Sequence, residues 1–128
     1  MALRIVRLGG PRARGEGLRI GTVRHPPRGV RKEDHARLDW YDVWFPDLAP
    51  SPALLKQGRA AASTREWAAF ARRFRAEMAA PDKVRILRLL AVLSHGADLS
   101  VGCYCDDEAR CHRSVLRAIL AEHGARLV

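Results

Sequence analysis

The sequence predicts an α/β protein: a single three-layer domain over residues 1–128, with a small, mostly parallel sheet covered by helices. Three observations carry this expectation. Two short N-terminal runs alternate apolar with basic residues, two later segments repeat apolar residues at helical spacing, and a last β-compatible run precedes a final helical pattern. That order, strand, strand, helices, strand, helix, is the one an α/β domain requires. A length of 128 residues fits one hydrophobic core and leaves little room for a second folded unit.

Leu3 to Leu8 and Leu18 to Val23 read as strands from their alternation, and the Gly- and Arg-rich stretch Gly9 to Gly17 joins them. From Arg24 to Pro52 no period is sustained. This stretch holds His25-Pro26-Pro27-Arg28-Gly29, then Arg31-Lys32-Glu33-Asp34, then Trp40, Tyr41, Trp44 and Phe45. Long irregular connections are uncommon in small domains and are often functional, so it is expected to lie over the core and cover a site. Ser63 and Glu66 have capping-box spacing, and Trp67, Phe70, Ala71, Phe74 and Met78 follow at helical spacing up to Pro81. A second helix begins near Asp82, buries Val84, Leu87 and Leu90, and stops at Gly96. Leu99 to Tyr104 reads as a strand, and Val115, Leu116, Ile119 and Leu120 mark a helix that ends at Gly124. The tail Arg126-Leu127-Val128 is expected to pair at a sheet edge.

Hydrophobic residues make up 48% and charged residues 29%, a globular balance that argues against disorder and fibrous repeats. The sign of the charge is unusual. Lys plus Arg number 23 against 14 Asp plus Glu, for a net charge of +9 and a pI near 10.7, and nearly all of the excess is arginine. No stretch approaches the roughly 20 apolar residues that span a bilayer, and Arg4 and Arg7 interrupt the first apolar run, so neither a membrane protein nor a signal peptide is expected. A cytoplasmic location is the simplest reading. Three cysteines within nine positions do not make a disulfide scaffold.

The chemistry concentrates in the segment from Cys103 to Ser114, which runs from the end of a predicted strand through a polar loop into the first turn of a helix. Open α/β sheets bind ligands at the carboxyl ends of their strands, and a helix N-terminus favours negative charge. A cysteine there, beside an arginine, has its thiolate favoured, which suits a nucleophile or a metal ligand. The catalytic candidates are therefore Cys105, Cys111, His112 and Arg113, with His112 as general acid or base. Arg24, Arg28, Tyr104 and Arg113 are the candidates for holding an anionic small molecule. Cys103, Cys105, Cys111 and His112 form a donor set for zinc or iron, although the paired Cys-x-x-Cys knuckles of common structural sites are missing. A redox pairing of Cys105 with Cys111 is a further use of the same thiols.

Plainer readings compete. Cys103 suits a buried strand as filler, His112 suits a cap, and Arg24, Arg28 and Arg113 are three of many arginines. The stripe of Trp67, Phe70 and Phe74 reads as core rather than as a stacking platform. The basic excess meets the first requirement for a nucleic-acid partner, but no recognition motif accompanies it, so a sequence-specific binder is not expected.

Val101-Gly102-Cys103-Tyr104 through Cys111-His112-Arg113-Ser114 resembles the Cys-His-Arg signature of the bacterial and archaeal family named domain of unknown function 488. The N-terminal half is similar as well: Arg19-Ile20 to Val23-Arg24, Pro27-Arg28-Gly29-Val30-Arg31-Lys32-Glu33, Leu48-Ala49-Pro50-Ser51, and Trp67 with Phe70 follow that family's order. The resemblance implies an α/β fold and a cytoplasmic bacterial protein, and it supplies no established reaction. Two departures stand out. Cys105 lies where the family commonly has glutamate, and Thr22-Val23-Arg24 replaces a strand end that often carries aspartate. Both remove a carboxylate, which Asp106, Asp107 or Glu108 would replace only if the loop folded back.

Overall fold

The computed structural model describes residues 1–105 and 107–128. Its sheet has four parallel strands: β1 (Leu3–Arg7), β2 (Leu18–Gly21), β3 (Val43–Trp44) and β4 (Leu99–Cys103), in the order β1-β4-β2-β3. The α/β class and the parallel sheet are as expected. The last strand in sequence sits between the first two, with Leu3 opposite Leu99 on one side and Ile20 opposite Val101 on the other. The tail joins the β1 edge through a parallel bridge from Leu127 to Leu3.

The described residues form four α-helices, of which the last three follow the pattern of apolar residues. They are α1 (Pro52–Ala60), α2 (Thr64–Met78), α3 (Pro81–Leu93) and α4 (His112–Glu122). Ser63 caps α2, its hydroxyl accepting from the Glu66 amide at 3.1 Å. All four contribute to one core with Leu3, Ile20, Leu99 and Val101 of the sheet, around Phe70, Phe74, Leu87, Leu116 and Leu120. Alternation along β4 therefore points Leu99, Val101 and Cys103 toward the helices.

The opposite face carries Arg19, Gly21, Ser100 and Gly102, and chain without α-helix, including one 3-10 turn at Lys32–Asp34, covers it. Tyr41 lies across Gly21, where any Cβ would come within 2.3 Å of its ring. The third layer is thus loop, because both connections that reach this face, residues 8–17 and 22–42, lack a helical period. A buried ion pair fastens it: Arg19 donates to both Glu16 carboxylate oxygens at 2.7 and 2.9 Å, and Ser100 donates to one of them at 2.9 Å. Gly17 has φ +75° and would place a Cβ 1.9 Å from the Asp98 carbonyl, so only glycine lets the loop meet the sheet here.

Helix α1 had no counterpart in the predicted pattern. Its start nevertheless carries Ser51 as N-cap and Pro52 in its first turn, and Glu77 of α2 accepts from both the amide and the hydroxyl of Ser51. Gly58 hid the element: it interrupts the apolar spacing so that the helix can approach Phe70, 2.7 Å from where a Cβ would stand. Among the described residues no helix is long and apolar enough to cross a membrane.

Candidate functional site

Strand β4 ends at Cys103 in the middle of the sheet, and α4 starts only at His112, so the intervening loop crosses the carboxyl end of the strands. The first cysteine is fixed by strand register and the third by its place as the residue before α4. Cys103 and Cys111 are buried, whereas Cys105 is exposed.

His112 is buried in the first turn of α4, with its ring edge-on to Phe74 at 5.5 Å. Its Nε2 lies 2.7 Å from the Thr22 carbonyl. A carbonyl only accepts, so Nε2 carries the proton and Nδ1 presents a lone pair toward Cys111 Sγ, 3.8 Å away. Burial, reinforced by the charge of Arg113 and opposed by the Thr22 carbonyl, pushes the imidazole down to about 4. It is neutral at physiological pH.

The sulfurs are close together. Cys103 Sγ lies 3.6 Å from Cys105 Sγ. The Cys103 thiol that donates to it, with the charge of Arg113 behind, draws the Cys105 thiol well below its ordinary range despite partial burial. As donors, Cys103 and Cys111 are pushed up. The Sγ atoms of Cys103 and Cys111 and a ring nitrogen of His112 all lie within 4.8 Å of one another. Metal–sulfur bonds near 2.3 Å and metal–nitrogen bonds near 2.0–2.1 Å separate tetrahedral donors by roughly 3.5–3.8 Å, so these atoms need close in only slightly to hold an ion.

Above the cluster opens a cavity of about 400 Å³. Val23, Leu55, Gly58, Trp67 and Phe70 wall it, and the three cysteines and His112 form its polar end. Helix α1 thus supplies wall residues that the sequence reading lacked, and the Ser51-Pro52 start of that helix was the signal for them. Trp67 and Phe70, expected as core, serve both core and cavity.

The predicted anion-binding residues are spread more widely. Arg113 is 4% exposed and donates to the Cys105 carbonyl, and its Nε has no partner among the described residues. Arg24 lines the cavity, but its Nε and one terminal nitrogen donate to the Pro50 and Ala49 carbonyls at 3.0 and 3.1 Å, holding the turn before α1. Tyr104 lines it too and donates to the His25 carbonyl at 2.8 Å. Arg28 lies apart, in an adjoining hollow with Trp40. Of the loop carboxylates, Asp107 accepts from the Ala109 amide and Glu108 pairs with Arg117 at 2.8 Å, while Asp106 lies outside the described residues. Of the long connection, Arg24 and His25 line the cavity, and Trp44 Nε1 donates to the Val23 carbonyl at 2.8 Å.

Residues 3–124 match the family model DUF488-N3a, described as the active DUF488-N3 subclade. No curated protein and no solved structure matches the chain.

Proposed function

The chain belongs to the DUF488 family, in the DUF488-N3a subclade described as active, and from that premise we propose that it is a metal-dependent protein acting on an anionic small molecule in the cavity above its Cys/His centre. One observation carries the reading. The thiols of Cys103 and Cys111 and the imidazole of His112 converge, while the other imidazole nitrogen is committed to the Thr22 carbonyl. Ligating histidines characteristically donate their second nitrogen to a carbonyl or carboxylate, which fixes tautomer and ring orientation.

Two thiolates and an imidazole suit zinc, and iron accepts the same donors. Three protein ligands leave a fourth position. Cys105 is the thiol within reach of it, exposed and 3.6 Å from Cys103 by sulfur. Cys105 would close the centre when bound to the ion and, when turned to solvent, would leave a position open to a ligand oxygen; the chemistry a bound ion would supply there is polarisation of that oxygen. Arg113 adds positive charge behind the loop, Arg24 and Tyr104 shape the wall, and Arg28 contributes from the adjoining hollow.

A second reading, in which Cys105 acts as a free thiolate nucleophile, is favoured by its exposure and by the Cys103 thiol that donates to it. Elemental analysis of protein purified without chelator, with a native thiol count, separates the two. The metal reading expects about one equivalent of zinc or iron, lost in Cys111→Ser and in His112→Gln, with shielded thiols. Metal-free protein with a single fast-alkylating thiol at Cys105 would overturn it in favour of the nucleophile.

A further inference from the structure

The cavity over the Cys/His centre continues into a second hollow of about 880 Å³, and the two share His25, Arg59 and Tyr104 in their linings. Their chemistry differs. Apart from the thiols and His112, the inner space has Val23, Leu55, Trp67 and Phe70 as its apolar wall, surfaces suited to a flat ring, with Arg24, Arg59 and Arg110 also in its lining. Among the described residues the outer hollow has no carboxylate in its lining, and it presents Arg28 and Arg59, with Arg7, beside Trp40 and Tyr104.

These two arginines differ from many others in the chain. Arg12, Arg19, Arg75 and Arg117 are each paired with a carboxylate. Neither guanidinium of Arg28 or Arg59 has a hydrogen-bond or ion-pair partner among the described residues. Both are exposed, so they are hydrated cations available to a ligand rather than struts of the fold. Trp40 and Tyr104 meet edge to face at 5.7 Å, which gives the hollow a firm aromatic side.

We propose that the ligand is a planar heterocycle carrying a phosphate on a short linker, the chemistry of a nucleoside monophosphate. This rests on the inner cavity being the reaction site. The ring enters the inner cavity and meets the Cys/His centre, the linker passes between His25, Tyr104 and Arg59, and the phosphate stays in the outer hollow within the field of Arg28 and Arg59. A guanidinium matches phosphate oxygens with parallel donors, which a lysine does not. The inner volume falls within the range of ordinary small-molecule pockets and accommodates a base with part of its sugar. Holding the anion away from the reacting ring lets remote binding energy position that ring.

The test is calorimetric titration with the common ribonucleoside monophosphates, their nucleosides and inorganic phosphate, on the wild type and on an Arg28→Ala/Arg59→Ala double variant, with metal content measured on the same samples. At least one monophosphate is expected to bind roughly tenfold or more tightly than both its nucleoside and inorganic phosphate. The double variant should lose that advantage while keeping its nucleoside affinity and its metal. The proposal is overturned if nucleoside and monophosphate bind alike, if inorganic phosphate binds as well alone, if nothing in the panel binds, or if a short oligonucleotide binds in preference to every monomer. Metal loss with the monophosphate preference intact would remove the metal centre and leave the ligand class standing; bound metal without discrimination would do the reverse.

Discussion

Glu16 carries its charge where water scarcely reaches, since only 2% of the residue is exposed. Burial alone would raise its pKa, but the Arg19 guanidinium, the Ala13 amide and the Ser100 hydroxyl together outweigh burial and bring it to about 2. The folded value lies below the unfolded one. The pair's contribution is therefore complete above about pH 4.5 and is lost as the pH falls toward 2. Glu16→Gln is expected to cost about 3 kcal/mol at neutral pH, because it leaves the buried Arg19 uncompensated. Urea midpoints at pH 7 and pH 3 check this: the gap between variant and wild type should narrow at the lower pH, and a constant gap would contradict the pairing. Single residues also mark where sequence reading runs out. Cys111, His112 and Arg113 stood out by their types and spacing, whereas the Thr22 group that orients His112 is a backbone carbonyl, which every residue has.

Helix α1 brings Gly58 against Phe70, which is itself stacked between Trp67 and Phe74. Alanine at a helix interior ordinarily gains up to about 1 kcal/mol over glycine. At position 58 its methyl would stand 2.7 Å from the buried Phe70 ring, which the stacked Trp67 and Phe74 hold in place. Gly58→Ala is therefore expected to destabilise by about 1 kcal/mol net, and to narrow the cavity, since overpacking costs more than propensity returns. A thermal melt settles the sign, and an increase in stability would mean that Phe70 can move. The same contact explains what was legible among the elements. Helices α2, α3 and α4 and strand β4 announced themselves through periodic apolar residues, because each buries one face against a continuous core. Helix α1 and the two-residue β3 bury too little for a period to develop, and the loop layer over Gly21 and Gly102 is shaped by close approach rather than pattern.

At the scale of the whole molecule the excess of +9 acts on any polyanion, whatever the cavity binds. Duplex DNA is expected to bind at low salt and to lose most of its affinity between about 50 and 200 mM, because that attraction comes from released counterions. A bound monophosphate engages only a dianion and should weaken far less over the same range. Fluorescence anisotropy with a labelled duplex, run beside the calorimetry, tests this, and duplex affinity that persisted at the higher salt would point to a nucleic-acid module instead. The order of the sheet has a consequence for how the protein is made. During synthesis β1 and β2 leave the ribosome early, yet the strand that pairs with both of them, β4, is among the last segments to appear. The early strands wait with open edges until nearly the whole chain exists, and the cysteines meet only when the final helix arrives. A product cut short before β4 would carry unpaired strands, and one cut short between β4 and α4 would carry unshielded thiols; either would be a substrate for proteolysis and aggregation rather than a partly working fragment.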